Sequence, residues 1–173
     1  VLLLSALFPA VNMANVVISE LLWSGSDLSS SDEWIELANT GTGDVALDGW
    51  RITKLSNGEE VEMLTFPQGT VAQSGGYFLI SNKGEAESRL DIAPDLVTTA
   101  VSLVNTQLLL RLYNALGELI DAVDDGIGAP FAGSNDPPKA SMERIALSGS
   151  GQLKENWQTA TTFLNFDDGA PFF

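Results

Sequence analysis

The sequence predicts an all-β sandwich with no substantial helix outside a possible N-terminal segment. Short stretches rich in branched and aromatic residues recur about every ten residues, separated by clusters of Gly, Asn, Asp, Ser and Pro. This rhythm is typical of antiparallel sandwiches. No apolar pattern of helical period is sustained along the chain. With 173 residues, 45% of them hydrophobic, the chain is long enough for one domain with its own core.

The first three strands are predicted where apolar and branched stretches end at turn residues, at 16–23, 33–38 and 45–54. In the second strand Trp34 and Ile35 are adjacent, so one of them must leave the core face or a bulge must intervene. In the third strand Trp50 follows a turn glycine and shares a face with Ile52. We therefore expect the indole ring of Trp50 to be buried.

Turn residues also delimit the later strands. Asn57-Gly58 predicts a two-residue hairpin because both residues tolerate positive φ. Further strands are predicted at 59–66, 70–72, 77–81, 96–103, 105–113, 118–123, 140–147 and 156–160. The polar stretch 85–94 is predicted to be a loop or one helical turn, and 124–138, rich in Gly, Pro and Asp, a long surface loop.

The composition excludes several kinds of function. With 23 acidic and 8 basic residues the net charge is -15. Such a surface repels phosphate backbones and anionic lipid, so we expect no direct nucleic-acid binding. The chain has no cysteine and no histidine, which excludes disulfides, thiolate nucleophiles, the usual zinc sites and every His-based dyad or triad.

The first eleven residues are apolar and uncharged, like the hydrophobic region of a signal peptide. They are too short to span a bilayer, which needs about 20 apolar residues, so no integral membrane span is expected. We interpret residues 1–14 as a signal-peptide remnant that ends at Ala14, and residues 15–173 as the domain. The alternatives are a first strand or helix packed on the domain, and an apolar arm inserted into a neighbouring filament subunit.

No initiator Met or basic region precedes Val1, and the chain ends in Phe172-Phe173. We therefore expect a sequence that lacks its true start and is truncated at its C-terminus. The favoured interpretation places the mature protein outside the cell or on its surface.

Several segments, taken in order, resemble one known family. They include a turn with Gly49-Trp50 and a strand that begins Gly76-Tyr77. The full set comprises 16–23, 32–39, 44–52, 75–80, the hairpin of 105–112 with 117–121, 141–144 and 156–160. Their order and spacing over residues 16–171 resemble the lamin tail domain family of the prokaryotic, secreted type. The resemblance implies an immunoglobulin-like β-sandwich that binds or displays and rarely catalyses. No heptads precede the domain, so nuclear roles such as chromatin binding are not expected to transfer.

The tryptophans are the first candidates for ligand contact, because indoles stack on sugar rings. They are Trp23, Trp34, Trp50 and Trp157. Such residues more often fill a sandwich core, which Trp34 and Trp50 fit best. Trp23 lies beside a Ser/Gly loop, so it is the tryptophan that we expect to be exposed, and it is the candidate ligand-binding residue.

Acidic residues are the candidates for metal binding. Asp121, Asp124 and Asp125, followed by Asp136, offer oxygen ligands for Ca²⁺, and Asp167-Asp168 would add to them only by proximity. The spacing is not that of an EF-hand, so solvated loop acids are the preferred interpretation and we predict no cofactor, with Ca²⁺ as the alternative.

The acids and serines suggest no catalytic residues. Glu33 and Glu36 lie on opposite faces of a strand unless a bulge intervenes, so a carboxylate pair for acid/base catalysis is not supported. No serine has a base motif beside it.

Together these observations predict a non-catalytic extracellular or cell-surface binding or structural module. Its partner is a protein, a glycan or the cell envelope, and the sequence does not choose among them. Two alternatives stay open. One is an accessory domain of a larger secreted hydrolase or nuclease. The other is a self-assembling surface filament subunit that uses the apolar N-terminal arm.

Overall fold

The computed structural model describes residues 16–162 and residue 165. The predicted leader with Ala14, the Asp167-Asp168 pair and the terminal Phe172-Phe173 lie outside these residues. The strands within them are β1 (Val16–Leu22), β2 (Trp34–Asn39), β3 (Val45–Ala46), β4 (Arg51–Ser56), β5 (Glu59–Thr65), β6 (Val71–Ala72), β7 (Tyr77–Ser81), β8 (Leu96–Val97), β9 (Leu110–Tyr113), β10 (Leu119–Val123), β11 (Met142–Arg144) and β12 (Trp157–Thr159). The helical turns of this part of the chain are short 3-10 segments, Glu85–Glu87 and Lys154–Asn156.

The strands form two main sheets. A six-stranded sheet has the order β12-β11-β1-β2-β7-β8, and a four-stranded sheet has the order β10-β9-β4-β5. β3 and β6 form a separate two-stranded ribbon. The strand pairs are antiparallel except β7 with β8, which is parallel. The predicted all-β, immunoglobulin-like sandwich is confirmed.

The hydrophobic core lies between the two main sheets. β1, β2 and β7 contribute Ile18, Leu37 and Ile80, and the facing β4 and β9 contribute Ile52 and Leu110, all without measurable exposure. Burying such side chains stabilises the fold by about 1.5–3 kcal/mol each. Because the chain has no cysteine, this core carries the stability that disulfides supply in many small secreted domains.

The adjacent Trp34 and Ile35 are buried on opposite faces of β2. Ile35 lies in the main core. Trp34 leaves the core face and joins a second apolar cluster with Leu22, Leu79 and Leu90 on the outer face of the six-stranded sheet. β2 is therefore covered on both faces.

A bulge occurs one strand away from these residues. The register between β1 and β2 shifts between Ile18 and Glu20, leaving Ser19 as the extra residue.

Several of the predicted strands are shorter in the structure. The 105–113 stretch forms a strand only at β9, and the 140–147 stretch only at β11. The 45–54 stretch is divided by a turn in which Gly49 has φ of +69°, and Trp50 beyond it is buried, as predicted. The 96–103 stretch pairs only at β8, and its remainder is held by other groups. The side-chain amide of Asn82 donates to the Val101 carbonyl at 2.7 Å, and the Glu33 carboxylate accepts the Leu103 N–H at 3.0 Å.

The predicted hairpin at Asn57-Gly58 joins β4 to β5. The two residues have φ of +53° and +82°, and the strands pair from Ser56 with Glu59 outward. These angles are those that a primed two-residue turn requires.

Candidate functional site

Trp23 is buried, so the expectation that its indole ring is exposed is wrong. Only 6% of it is exposed, and its Nε1 donates to the Ala132 carbonyl at 2.9 Å. The reason is the 124–138 loop, which folds over the ring so closely that a Cβ at Gly133 would meet the indole nitrogen. The other tryptophans are also buried, at 4–6% exposure, so no indole face is open for stacking.

Asp121 is engaged in a buried ion pair. Nη1 of Arg144 donates a hydrogen bond to Oδ2 of Asp121 at 3.0 Å, and Nη2 donates one to Oδ1 at 2.9 Å. The Ile18 N–H also donates to Oδ2, at 2.9 Å. The Arg144 side chain is fully buried, with its guanidinium carbon 5.3 Å from the ring centre of Trp157. This geometry joins β10 to β1 and β11, so the carboxylate has a structural role.

Asp124 and Asp125 organise the start of the 124–138 loop. Asp124 is buried with φ of +66°, and its carboxylate accepts the N–H groups of Asp125 and Phe131. Burial raises the pKa of Asp124. The carboxylate of Asp125 accepts the Ile127 N–H, and Asp136 is exposed. Over the described part of the chain, no three acidic side chains are grouped in a way that could hold a metal ion.

Asp32 and Glu33, which precede β2, anchor two different loops. Asp32 accepts the Ser88 hydroxyl at 2.6 Å and the Arg89 N–H at 3.0 Å. Glu33 accepts the Leu103 N–H, and burial raises the pKa of Glu33 to about 7. The structure therefore does not bring Glu33 together with Glu36.

A groove of about 430 Å³ crosses the outer face of the six-stranded sheet. Its polar lining comes from Ser19, Glu20, Glu36 and Glu143 among others. Its apolar lining includes three large side chains that remain exposed, Tyr77 at 60%, Ile145 at 57% and Ile92 at 37%. The volume falls within the range of small-ligand and side-chain sites. The groove is the candidate functional site, and we define it by these seven residues.

Strand register brings the three glutamates of the groove together. Glu20 of β1 lies directly opposite Glu36 of β2 and directly opposite Glu143 of β11. Residues paired in this way have Cβ atoms about 4.5–5.5 Å apart on the same face of a sheet. Spacing along the strand relates Glu36 only to Glu33. In the sequence, the single charged residue Glu20 within an apolar strand was the one feature that pointed to the groove. The residues that face Glu20 depend on the pairing of strands that are far apart in sequence.

The electrostatics of the groove favour positively charged or hydrogen-bond-donating ligands. Burial raises the pKa of Glu20 to about 7, and the charges of Glu36 and Glu143 act in the same direction. Burial likewise raises the pKa of Glu36. The Ser19 hydroxyl donates to Glu36 at 2.6 Å, and the Ser141 hydroxyl donates to Glu20. Carboxyls perturbed in this way within a cleft mark functional sites more often than chance.

The packed sheets and the outer groove define a β-sandwich module. A family model described as Lamin Tail Domain matches residues 9–126, more than half of the chain. The chain therefore belongs to the lamin tail domain family, which confirms the resemblance. The match does not reach the closing segments at 141–144 and 156–160.

A solved structure supports the fold independently. It is a DUF4876 family protein from Bacteroides thetaiotaomicron, with a TM-score of 0.51 and 11% sequence identity, and the alignment covers 93% of this chain and 75% of that chain. Among curated proteins no sequence matches this chain. The described residues include no helix of the length and apolarity that a bilayer crossing demands.

Proposed function

We propose that this chain is an exported, non-catalytic binding module of lamin-tail type that contacts its partner through the groove. The observation that carries the proposal is the combination of clustered glutamates with three exposed apolar side chains on one sheet face. Exposed apolar surface that lines a polar cleft is characteristic of interaction sites.

A binding role without catalysis is supported by the chemistry of the chain. It has no histidine or cysteine to serve as base, nucleophile or thiolate. The groove lies on the face of a sheet whose strands β1, β2 and β7 are paired side by side. A rigid, preformed surface of this kind suits recognition, because little conformational freedom is lost on binding.

Binding is tested by co-sedimentation of the purified domain with cell envelopes of the producing organism. The groove variant combines Tyr77→Ala with Ile145→Ala. The matched control combines Leu116→Ala with Ile127→Ala, which removes apolar side chains that are 84% and 75% exposed outside the groove. We expect the wild type and the control to sediment with the envelopes and the groove variant to remain in solution. Equal sedimentation of all three proteins, or of none, would contradict the proposal.

Export is supported by the apolar, uncharged segment that precedes Ala14. The protein expressed with its complete leader is expected outside the cytoplasm with a mature start near Asn15, as read by mass spectrometry. Secreted protein that keeps residues 1–11 intact would instead support the filament subunit.

A further inference from the structure

We infer that the groove binds a basic peptide segment of a protein partner, with a lysine or arginine side chain placed against Glu20, Glu36 and Glu143. This inference rests on the proposed function and specifies the partner's chemistry. It follows from the negative charge of the groove, from its apolar lining and from the net charge of the whole chain.

The uncompensated negative charge of the groove glutamates favours a cationic ligand. Like charges directly opposite on neighbouring strands destabilise a sheet, yet Glu20 faces a glutamate on each side. Within residues 16–162, the ion pairs of arginine lie elsewhere, on Asp27, Glu60 and Asp121. Arg144 lines the groove, but both of its terminal nitrogens bind Asp121. A cation supplied by a partner would offset the repulsion among the three glutamates.

The apolar lining of the groove favours side chains with an apolar stem. Tyr77, Ile92 and Ile145 border the groove and remain exposed. Lysine and arginine carry apolar stems that pack on such surfaces while the charged head reaches polar groups. The exposed ring of Tyr77 also offers a face for a cation–π contact. A bare metal ion would use none of these apolar groups, and in the described chain no acidic group has the arrangement to hold one.

The net charge of the whole molecule also favours a basic partner. A net charge of -15 attracts basic partners and raises their rate of association, whereas it repels anionic ones. Diffuse attraction alone would act at any acidic surface. The experiment must therefore separate the groove from the total charge.

The test measures the binding of fluorescein-labelled, N-acetylated hexalysine and hexaarginine by fluorescence anisotropy. The groove variant is Glu20→Gln with Glu36→Gln. The charge-matched control is Glu59→Gln with Glu155→Gln, both of which are exposed and outside the groove lining. Loss of a desolvated charge partner weakens binding by about tenfold or more. We expect that loss in the groove variant and less than about twofold change in the control, where only screened surface charge is removed.

Two results would overturn the inference. Equal weakening in both double variants would show diffuse attraction to the net charge. Equal binding of hexa(acetyl-lysine), which keeps the stem without the charge, would show a purely apolar contact. Because glutamine keeps the size of glutamate, we expect both variants to fold, which thermal melting verifies.

Carbodiimide crosslinking locates the contact directly, because it joins an amine to a carboxylate that touches it. Hexalysine crosslinks concentrated at Glu20, Glu36 and Glu143 would support the inference. Crosslinks spread over the exposed acids would overturn it. If the Tyr77→Ala, Ile145→Ala variant loses envelope binding while basic peptides do not distinguish the glutamine variants, the partner has another chemistry, such as a glycan. The inference then fails while the proposed function stands.

Discussion

At the scale of single residues, acidic side chains hold this sandwich together where the strand ladders stop. Asp32, Glu33 and Asp124 each accept a backbone N–H from a segment outside the main strands. Asp121 accepts the N–H of Ile18 within β1, beside the bulge. A backbone N–H left without a partner in the interior costs stability, so these carboxylates are structural despite the acidic surface of the chain.

The Asp121–Arg144 pair gives a prediction on stability. Asp121→Ala leaves the fully buried Arg144 guanidinium without its counter-charge, which we expect to lower the free energy of unfolding by about 3–5 kcal/mol. The control is Asp27→Ala in the more exposed pair with Arg89, where a loss of about 1 kcal/mol or less is expected. Urea denaturation measures both. Losses of the same size would show that burial of the Arg144 pair has no special weight.

The Glu33 carboxyl gives a prediction on pH. Its pKa is about 7 in the folded protein, raised by burial from 4.5. Because the native state holds this proton more tightly than the unfolded chain, stability from this group falls as the pH rises from about 4.5 to about 7. Glu33→Gln keeps an acceptor for the Leu103 N–H and removes the titration. Urea denaturation measures the free energy of unfolding of the variant and of the wild type at both pH values. We expect the difference, variant minus wild type, to be about 1–3 kcal/mol larger at pH 8 than at pH 4.5. An unchanged pH profile would contradict this.

At the scale of elements, the sequence predicted what depends on neighbouring residues. Apolar stretches bounded by turn residues located β2 and β7, and Asn57-Gly58 located a hairpin, since turn chemistry is local. The 96–103 stretch has strand composition but pairs only at β8, because Asn82 and Glu33 take over its hydrogen bonds. Side-chain anchors of this kind depend on tertiary contacts, so composition does not reveal them.

The same limit applies to the candidate site. The exposure of Trp23 was mispredicted because the residues that cover it lie about 110 positions later in the chain. The groove joins Glu20 to Glu143 through a register between β1 and β11. A sequence pattern could locate each glutamate on a strand, but could not place the two strands side by side.

The 124–138 loop gives a prediction on calcium. Asp124 and Asp125 already accept backbone N–H groups, so we expect millimolar Ca²⁺ and Mg²⁺ to shift the melting temperature equally, by diffuse screening. A true site would instead add about 2.7 kcal/mol at a hundredfold excess over Kd. Differential scanning fluorimetry measures the shift. A response specific to Ca²⁺ that disappears in Asp124→Asn with Asp125→Asn would contradict the expectation.

At the scale of the whole molecule, the six-stranded sheet is the central layer. The main core covers its inner face, and the cluster of Leu22, Trp34, Leu79 and Leu90 covers part of its outer face. The groove with its glutamates lies on the same outer face, and Trp34, Leu79 and Leu90 of that cluster are part of its lining. The four-stranded sheet contributes to the main core only. The strands of the six-stranded sheet are therefore the better protected from water.

Because β2 is covered on both faces, we expect different strands of the domain to open at different rates. The amides of β2 are bonded to β1 and β7 and shielded from both sides, so we expect them to exchange with deuterium only when the entire domain unfolds. The amides of β12, a three-residue edge strand, should exchange orders of magnitude sooner by local fraying. Native-state hydrogen exchange followed by NMR measures both rates, and comparable rates would contradict the expectation. On the expected rates Glu36, as a residue of β2, lies in the last segment to open, so the β2 side of the groove stays formed while the edge of the same sheet frays.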